Sequence, residues 1–421
     1  MDHGSADATV VRPTADAGSP GSLGSRRGVP PRRRSGAAEG PAPLSRPAEP
    51  RTPAGETLGG HAARQALRLC EAVGLDGADS AAYARILLEA MGPAAARPLD
   101  LPPAASSLAD DRSPLEFSLS FVPDAAPTLR VLLEPGYGAG SLAENGRTGL
   151  RVIRAMARRW GFDTHRLDAW EDLFFPPDPE GPLALWCALE LLPGGVPRVK
   201  VYVNPAASGQ ERSAATVREA LHRLGHRKAF TALPPGDRHL FLALDLGDWQ
   251  EPRVKVYLAH EGLSAAQAPG LSRTEGGPGR TEVTRFFRTA AGDTPGAGDL
   301  DGVRLDRRPG ISCHAFTETR TGRPTGFTLH VPVRDYARHD GEALDRALAL
   351  LDGQGMDPGP LLRALPALTS RPLHEGVGLI AYLALVHQEG RPPRVTAYLS
   401  SEAYAVRPPA DAPYSSASSR R

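Results

Sequence analysis

Cysteine is scarce in this sequence. Cys70, Cys187 and Cys313 are the only three, they lie far apart, and none forms a CxxC pair. That excludes a disulfide framework and a zinc ribbon, and an odd, sparse count fits a reducing cytoplasm. An excess of one charge is also lacking. Forty-nine Lys and Arg stand against 48 Asp and Glu, for a formal charge of +1. No bulk field therefore draws in nucleic acid or an anionic membrane, and any anion site has to be a local cluster. The longest apolar run, around Val377 to Val386, is about half a membrane span. Met1-Asp2-His3 opens the chain without the basic-then-apolar pattern of a secretion signal. DDxxD, GxSxG and HExxH boxes are all missing. The expectation is a soluble cytoplasmic protein, a monomer or homodimer, with no membrane or nucleic-acid partner.

The 421 residues are 41% hydrophobic and 23% charged, enough for a sizeable packed core. The core-forming composition is not uniform. Residues 1–58 are dominated by Gly, Pro, Ser, Ala and Arg, as in Pro30-Pro31-Arg32-Arg33-Arg34. Such a segment buries too little apolar area to offset chain entropy, so a disordered extension is expected there. A second disordered tail is expected over 407–421, leaving one domain over 59–406.

Within that domain one pattern recurs: a helical segment, then two strand-like runs joined by a tight polar turn. The second runs align by eye as Leu129–Leu133, Val199–Val203, Val254–Leu258, Phe327–Val331 and Val395–Leu399. Their partners are Leu115–Phe121, Leu183–Leu192, His239–Leu246, Ile311–Thr317 and Val377–His387. Strand breakers separate each pair, Pro193-Gly194-Gly195 among them. The helices carry one apolar stripe each, as Leu150, Ile153, Met156 and Trp160 do at helical spacing. Five hairpins that leave no free edge close into a ring, with helices outside. The predicted class is α+β, a ten-stranded antiparallel barrel ringed by helices.

Strand side chains alternate between faces. Arg198, Lys200 and Tyr202 share one face, and Arg253, Lys255 and Tyr257 repeat it, with valines and a leucine opposite. If the apolar face meets the helices, the charged face points into the lumen. Arg130, Lys200, Arg253 and Lys255 then gather there, and such cations repel one another unless a polyanion joins them. A diphosphate suits them. Tyr202, Tyr257 and Tyr398, two residues further along, would form an aromatic girdle able to stabilise a cation. On a single hairpin this alternation more commonly marks a wet sheet face; its repetition on three strands argues for a lumen. Glu116, beside Ser118 and Ser120, reads either as a luminal carboxylate that accepts an indole N–H or as a rim salt bridge.

Three weaker signals carry less. Gly136-Tyr137-Gly138-Ala139-Gly140 lacks the third glycine spacing of a dinucleotide loop and reads as a flexible connection. Asp168 and Asp172 do not make a magnesium box. His314 and His330 have no third ligand and read as a packed pair facing across the fourth hairpin.

Ser113-Pro114-Leu115-Glu116-Phe117-Ser118, Leu129-Arg130-Val131-Leu132-Leu133-Glu134-Pro135, the two Arg-Val-Lys-Val-Tyr strands and Arg394-Val395-Thr396-Ala397-Tyr398-Leu399 resemble the dimethylallyl-tryptophan-synthase family of aromatic prenyltransferases. The resemblance spans about residues 61 to 405. It implies the ααββ-repeat PT barrel and transfer of a dimethylallyl or longer prenyl group from its diphosphate to an indole, such as tryptophan, with no metal or other cofactor. It implies Glu116 as acceptor of the indole N–H, Arg130, Lys200, Arg253 and Lys255 as diphosphate ligands, and Tyr202, Tyr257 and Tyr398 as the shield of the allyl cation. The fourth hairpin departs from the pattern, placing Thr328 and His330 where a longer polar residue and a shield tyrosine are usual; both are candidate substrate contacts. The strand at Leu183–Leu192 lacks the lysine that can accept the final proton, with Cys187 and Glu190 nearby instead. The alternatives are a phenol or tyrosine acceptor on the same fold and a non-catalytic barrel for a phosphorylated small molecule.

Overall fold

The computed structural model describes residues 55–247, 249–292 and 302–410. Thr57 caps the first helix, accepting from the Gly60 amide at 3.1 Å. That helix, α1 (Leu58–Ala72), pairs with α2 (Gly77–Met91) and leads into β1 (Leu115–Val122) and β2 (Ala125–Leu133). The second unit has α3 (Leu142–Trp160), the single turns α4 (His165–Asp168) and α5 (Glu171–Phe174), then β3 (Leu185–Leu191) and β4 (Arg198–Val203). Next come α6 (Ser213–Arg223), β5 (Arg238–Leu246) and β6 (Val254–His260). A two-residue ribbon of β7 (Leu263–Ser264) and β8 (Arg304–Leu305) flanks α7 (Arg280–Ala291) before β9 (Gly310–Phe316) and β10 (Gly326–Val331). The last unit is α8 (Asp340–Asp352), α9 (Gly359–Leu368), β11 (Ile380–Gln388) and β12 (Arg394–Ser400). In the third and fourth units one α-helix with short 3₁₀ turns takes the place of a helix pair.

Ten strands close into one barrel, each antiparallel to its neighbours, with β12 returning to β1. The register follows the predicted alternation. Opposite one another stand Arg130 and Glu190, Lys200 and Asp245, and Tyr257 and Cys313. The odd positions of β4, Val199, Val201 and Val203, are at most 3% exposed and join the main core. Helices cover that outer face closely. A Cβ on Gly149 of α3 would lie 3.0 Å from the Leu185 side chain of β3, so a larger residue there would press on the wall.

Both expected tails overlap the fold at their inner ends. Leu58 is fully buried and Thr57 bridges to Pro98, so the domain starts before 59: cap and core residue follow directly on a polar stretch. At the other end Arg407 bridges to Val377 and pairs with Asp335 at 3.0 Å, drawn in by that carboxylate. The remainder of the expected extension and tail, 1–54 and 411–421, lies outside the described residues. The glycine-rich connection before α3 is packed, not loose: Tyr137 is buried, and its hydroxyl accepts from the Ala104 amide at 2.9 Å.

Candidate active site

The barrel encloses a cavity of about 530 Å³. Its wall includes all ten residues singled out above: Glu116, Arg130, Lys200, Tyr202, Arg253, Lys255, Tyr257, Thr328, His330 and Tyr398. They fall into three zones because the second strands run in the same direction through the wall. Arg198, Arg253 and Arg394 stand at the strand starts, near the hairpin turns. Arg130, Lys200 and Lys255 follow, and the tyrosines come next.

The cation zone is not bare. Asp245 of β5 lies 2.9 Å from the Lys200 ammonium and 3.5 Å from Arg253 Nε. Glu190 of β3 meets Arg130 Nε at 2.8 Å and Arg198 at 3.2 Å. Burial works against the Lys200 ammonium, but Asp245 outweighs it and holds the group above its ordinary pKa. Lys255 has no ion pair among the described residues. Lys200 beside it, and then burial, push its pKa down to about 8. Arg394, also on the cavity wall, is depressed by burial and by Arg130. Such a zone favours a multiply charged anion.

The aromatic zone is continuous. Ring centroids lie 5.7 Å apart between Tyr202 and Tyr257, 6.0 Å between Tyr257 and His330, and 5.6 Å between His330 and Tyr398. His330 Nδ1–H donates to the Ile311 carbonyl at 3.2 Å, so Nε2 accepts from the Tyr398 hydroxyl, also at 3.2 Å. Burial lowers the His330 pKa to about 4, with the Ile311 hydrogen bond opposing and Lys255 adding a smaller push, so the ring is neutral at pH 7. It fills the girdle where the pattern predicts a tyrosine. Phe241 and Trp186 extend the aromatic wall behind Tyr202, at 6.4 Å and then 5.2 Å.

Glu116 stands apart from the cations, facing Ser400 on β12 and Leu132 on β2. It is 7% exposed, and burial pushes its carboxyl up to about 7, with Arg334 opposing and Asp110 and Asp111 adding to the rise. Among the described residues it makes no ion pair. Arg334 pairs instead with Asp110 at 2.9 Å, which removes the rim salt bridge as an account of Glu116.

One expectation is corrected, and a second is narrowed. His314 and His330 do not face each other, because the register sets His314 opposite Phe327 and His330 opposite Ile311. His314 points to the outer core, bonded to Ser312 Oγ at 2.9 Å. Cys187 lies opposite Val201 on the outer face, fully buried, so of the two residues near the missing lysine only Glu190 reaches the cavity. Sequence reasoning missed Asp245, Arg394 and Phe241. Period-two counting from Lys200 and Tyr257 reaches Asp245 and Phe241 once the strands are paired. Arg394 occupies the strand-start position of Arg198 and Arg253.

Among the described residues no group of three or more His, Cys, Asp or Glu is placed to hold a metal ion. No described helix is long and apolar enough to cross a membrane.

The family model for tryptophan dimethylallyltransferase matches residues 81–271. The prenyltransferase PriB, solved with L-tryptophan and dimethylallyl thiolodiphosphate, is 62% identical, with 84% of this chain and 99% of that chain covered and a TM-score of 0.81. The 5-dimethylallyl tryptophan synthase of Streptomyces coelicolor is 60% identical over 84% of this chain and 98% of that one, with a TM-score of 0.80. The 6-dimethylallyltryptophan synthase of Micromonospora olivasterospora is 39% identical over 84% and 100%, with a TM-score of 0.77.

Proposed function

This chain belongs to the tryptophan dimethylallyltransferase family, and on that premise we propose that it moves a dimethylallyl group from its diphosphate onto the indole ring of tryptophan. The observation that supports this reading most directly is one cavity with a cation zone, an aromatic girdle and a buried unpaired carboxylate in it. Arg130, Lys200, Arg253 and Lys255, joined by Arg394, bind the diphosphate and stabilise its departure. The allylic C–O bond breaks and its electron pair leaves with the diphosphate oxygen. Tyr202, Tyr257 and Tyr398 face the resulting cation, exclude water and stabilise it by roughly 0.5–2 kcal/mol each. The neutral ring of His330 completes the girdle without adding positive charge, and Thr328 lines the wall beside it. Glu116 accepts the indole N–H and pushes electron density into the ring. A ring carbon then attacks the cation, a C–C bond forms, and a base takes the ring proton while the C–H electron pair restores aromaticity.

In this reading the cation zone supplies the charge that magnesium supplies in other diphosphate chemistry, so no metal is required. The test is mass spectrometry of the purified protein with L-tryptophan, dimethylallyl diphosphate and excess EDTA. The expected products are dimethylallyl tryptophan and free diphosphate. Turnover abolished by EDTA and restored by magnesium would overturn the metal-free step. Prenylation of tyrosine in preference to tryptophan would overturn the indole acceptor.

A further inference from the structure

We infer that Asp245, assisted by Glu190, is an internal counter-ion for the diphosphate site: it holds the empty cation zone together and weakens the grip on diphosphate. The inference rests on the reading of that zone as the diphosphate site. Its basis is geometric. Asp245 projects from β5 directly opposite Lys200 of β4. Its two oxygens serve different cations, Oδ1 facing Lys200 Nζ at 2.9 Å and Oδ2 facing Arg253 Nε at 3.5 Å. Glu190 divides itself in the same way, Oε2 to Arg130 and Oε1 to Arg198. Three of the five proposed ligands, Arg130, Lys200 and Arg253, therefore already face a carboxylate. Strand pairing does not require these side chains, since the β5 backbone bonds are made by amides and carbonyls.

The same carboxylate acts with opposite sign in the two states of the site. In the empty lumen Asp245 offsets repulsion among Lys200, Lys255 and Arg253. When diphosphate enters, its oxygens need the donors that now face Asp245, and two anions share one set of cations. Removing the carboxylate charge frees Lys200, ends the repulsion of diphosphate and destabilises the empty cluster. All three changes tighten anion binding. The wild-type arrangement thus trades affinity for release, since the donor and the product diphosphate are held by the same groups.

The experiment is calorimetric titration of the full chain with inorganic diphosphate, alongside melting curves with and without it. Asp245→Asn is expected to lower the dissociation constant about tenfold or more. Its empty form should melt below wild type, while its gain in Tm on saturation should exceed that of wild type. Glu190→Gln should change affinity in the same direction by less, because Arg198 is 65% exposed and more screened; it also carries the test if Asp245→Asn does not fold. A purely structural role predicts a lower Tm with unchanged or weaker affinity, and that result in both variants overturns the inference. Wild-type protein that fails to bind diphosphate would overturn the site reading itself, and this inference with it.

Discussion

Replacing Glu116 by Gln separates function from stability in an unusual direction. The carboxyl keeps its shape but loses its charge. In the folded protein its pKa is raised from 4.5 to about 7, chiefly by burial. The protonated form is thus favoured by folding, and ionising the group costs stability. That cost is absent below the unfolded pKa, grows as pH rises toward 7 and is complete above it. At about 1.4 kcal/mol per pH unit it amounts to at most on the order of 3 kcal/mol. Gln carries no such cost, and the side chain it replaces makes no ion pair among the described residues.

Glu116→Gln should therefore melt several degrees higher than wild type at pH 8 and equally at pH 4.5. Its chemical step should slow by roughly 10²–10⁴, the span expected when a group that moves or holds a proton is lost. Diphosphate affinity should not change, since Glu116 is outside the cation zone. Single-turnover rates, melting curves and titrations on one preparation read all three. A variant that turns over normally, or one that melts lower at pH 8, would refute the reasoning.

Three further outcomes follow from the same geometry. Glu116 must be ionised and Lys255 protonated, so kcat/KM should fall below about pH 7 and again above about pH 8. Lys255→Arg should carry the alkaline limb upward, and an unmoved limb would detach it from Lys255. Lys255→Ala and Arg130→Ala should weaken thiolodiphosphate binding by about 1.5–3 kcal/mol each, by titration, with tryptophan affinity nearly intact. A chain begun at residue 59 should melt below one begun at residue 55, because it loses the Thr57 cap and the fully buried Leu58.

The barrel and its lumen were legible because alternation alone assigns faces. Once Val199 and Val201 had to meet helices, Lys200 and Tyr202 had to face inward. What alternation cannot supply is register between strands. Asp245 and Lys200 are far apart in sequence, and only the pairing of β4 with β5 sets them opposite one another. The same gap explains His314: its side depends on whether Phe327 or His330 is its partner, which turn length decides. Cys187 is one residue out of phase with Trp186 and Ala188, and one residue moves a side chain through the wall. The overlap of both tails with the fold has a different cause. A single cap, or one Arg paired to Asp335, leaves no compositional trace.

A ten-stranded barrel also explains why these residues are free to serve chemistry. Eight strands leave an interior that side chains just fill, and two more open space that side chains alone do not close. Stability then has to come from outside the wall, where outward residues of all ten strands join one apolar core under the helices, β9 contributing Phe316. Lumen residues contribute little to that core, and several act against folding, as the depressed Lys255 and the raised Glu116 both indicate. Substitutions that point inward should therefore alter binding and rate far more than they alter the fold. Outward substitutions such as Val201→Ala should do the reverse, costing roughly 1–3 kcal/mol of stability while leaving turnover by the folded fraction unchanged. A Val201→Ala protein of wild-type Tm but altered kcat would contradict this division of the wall into a supporting face and a working one.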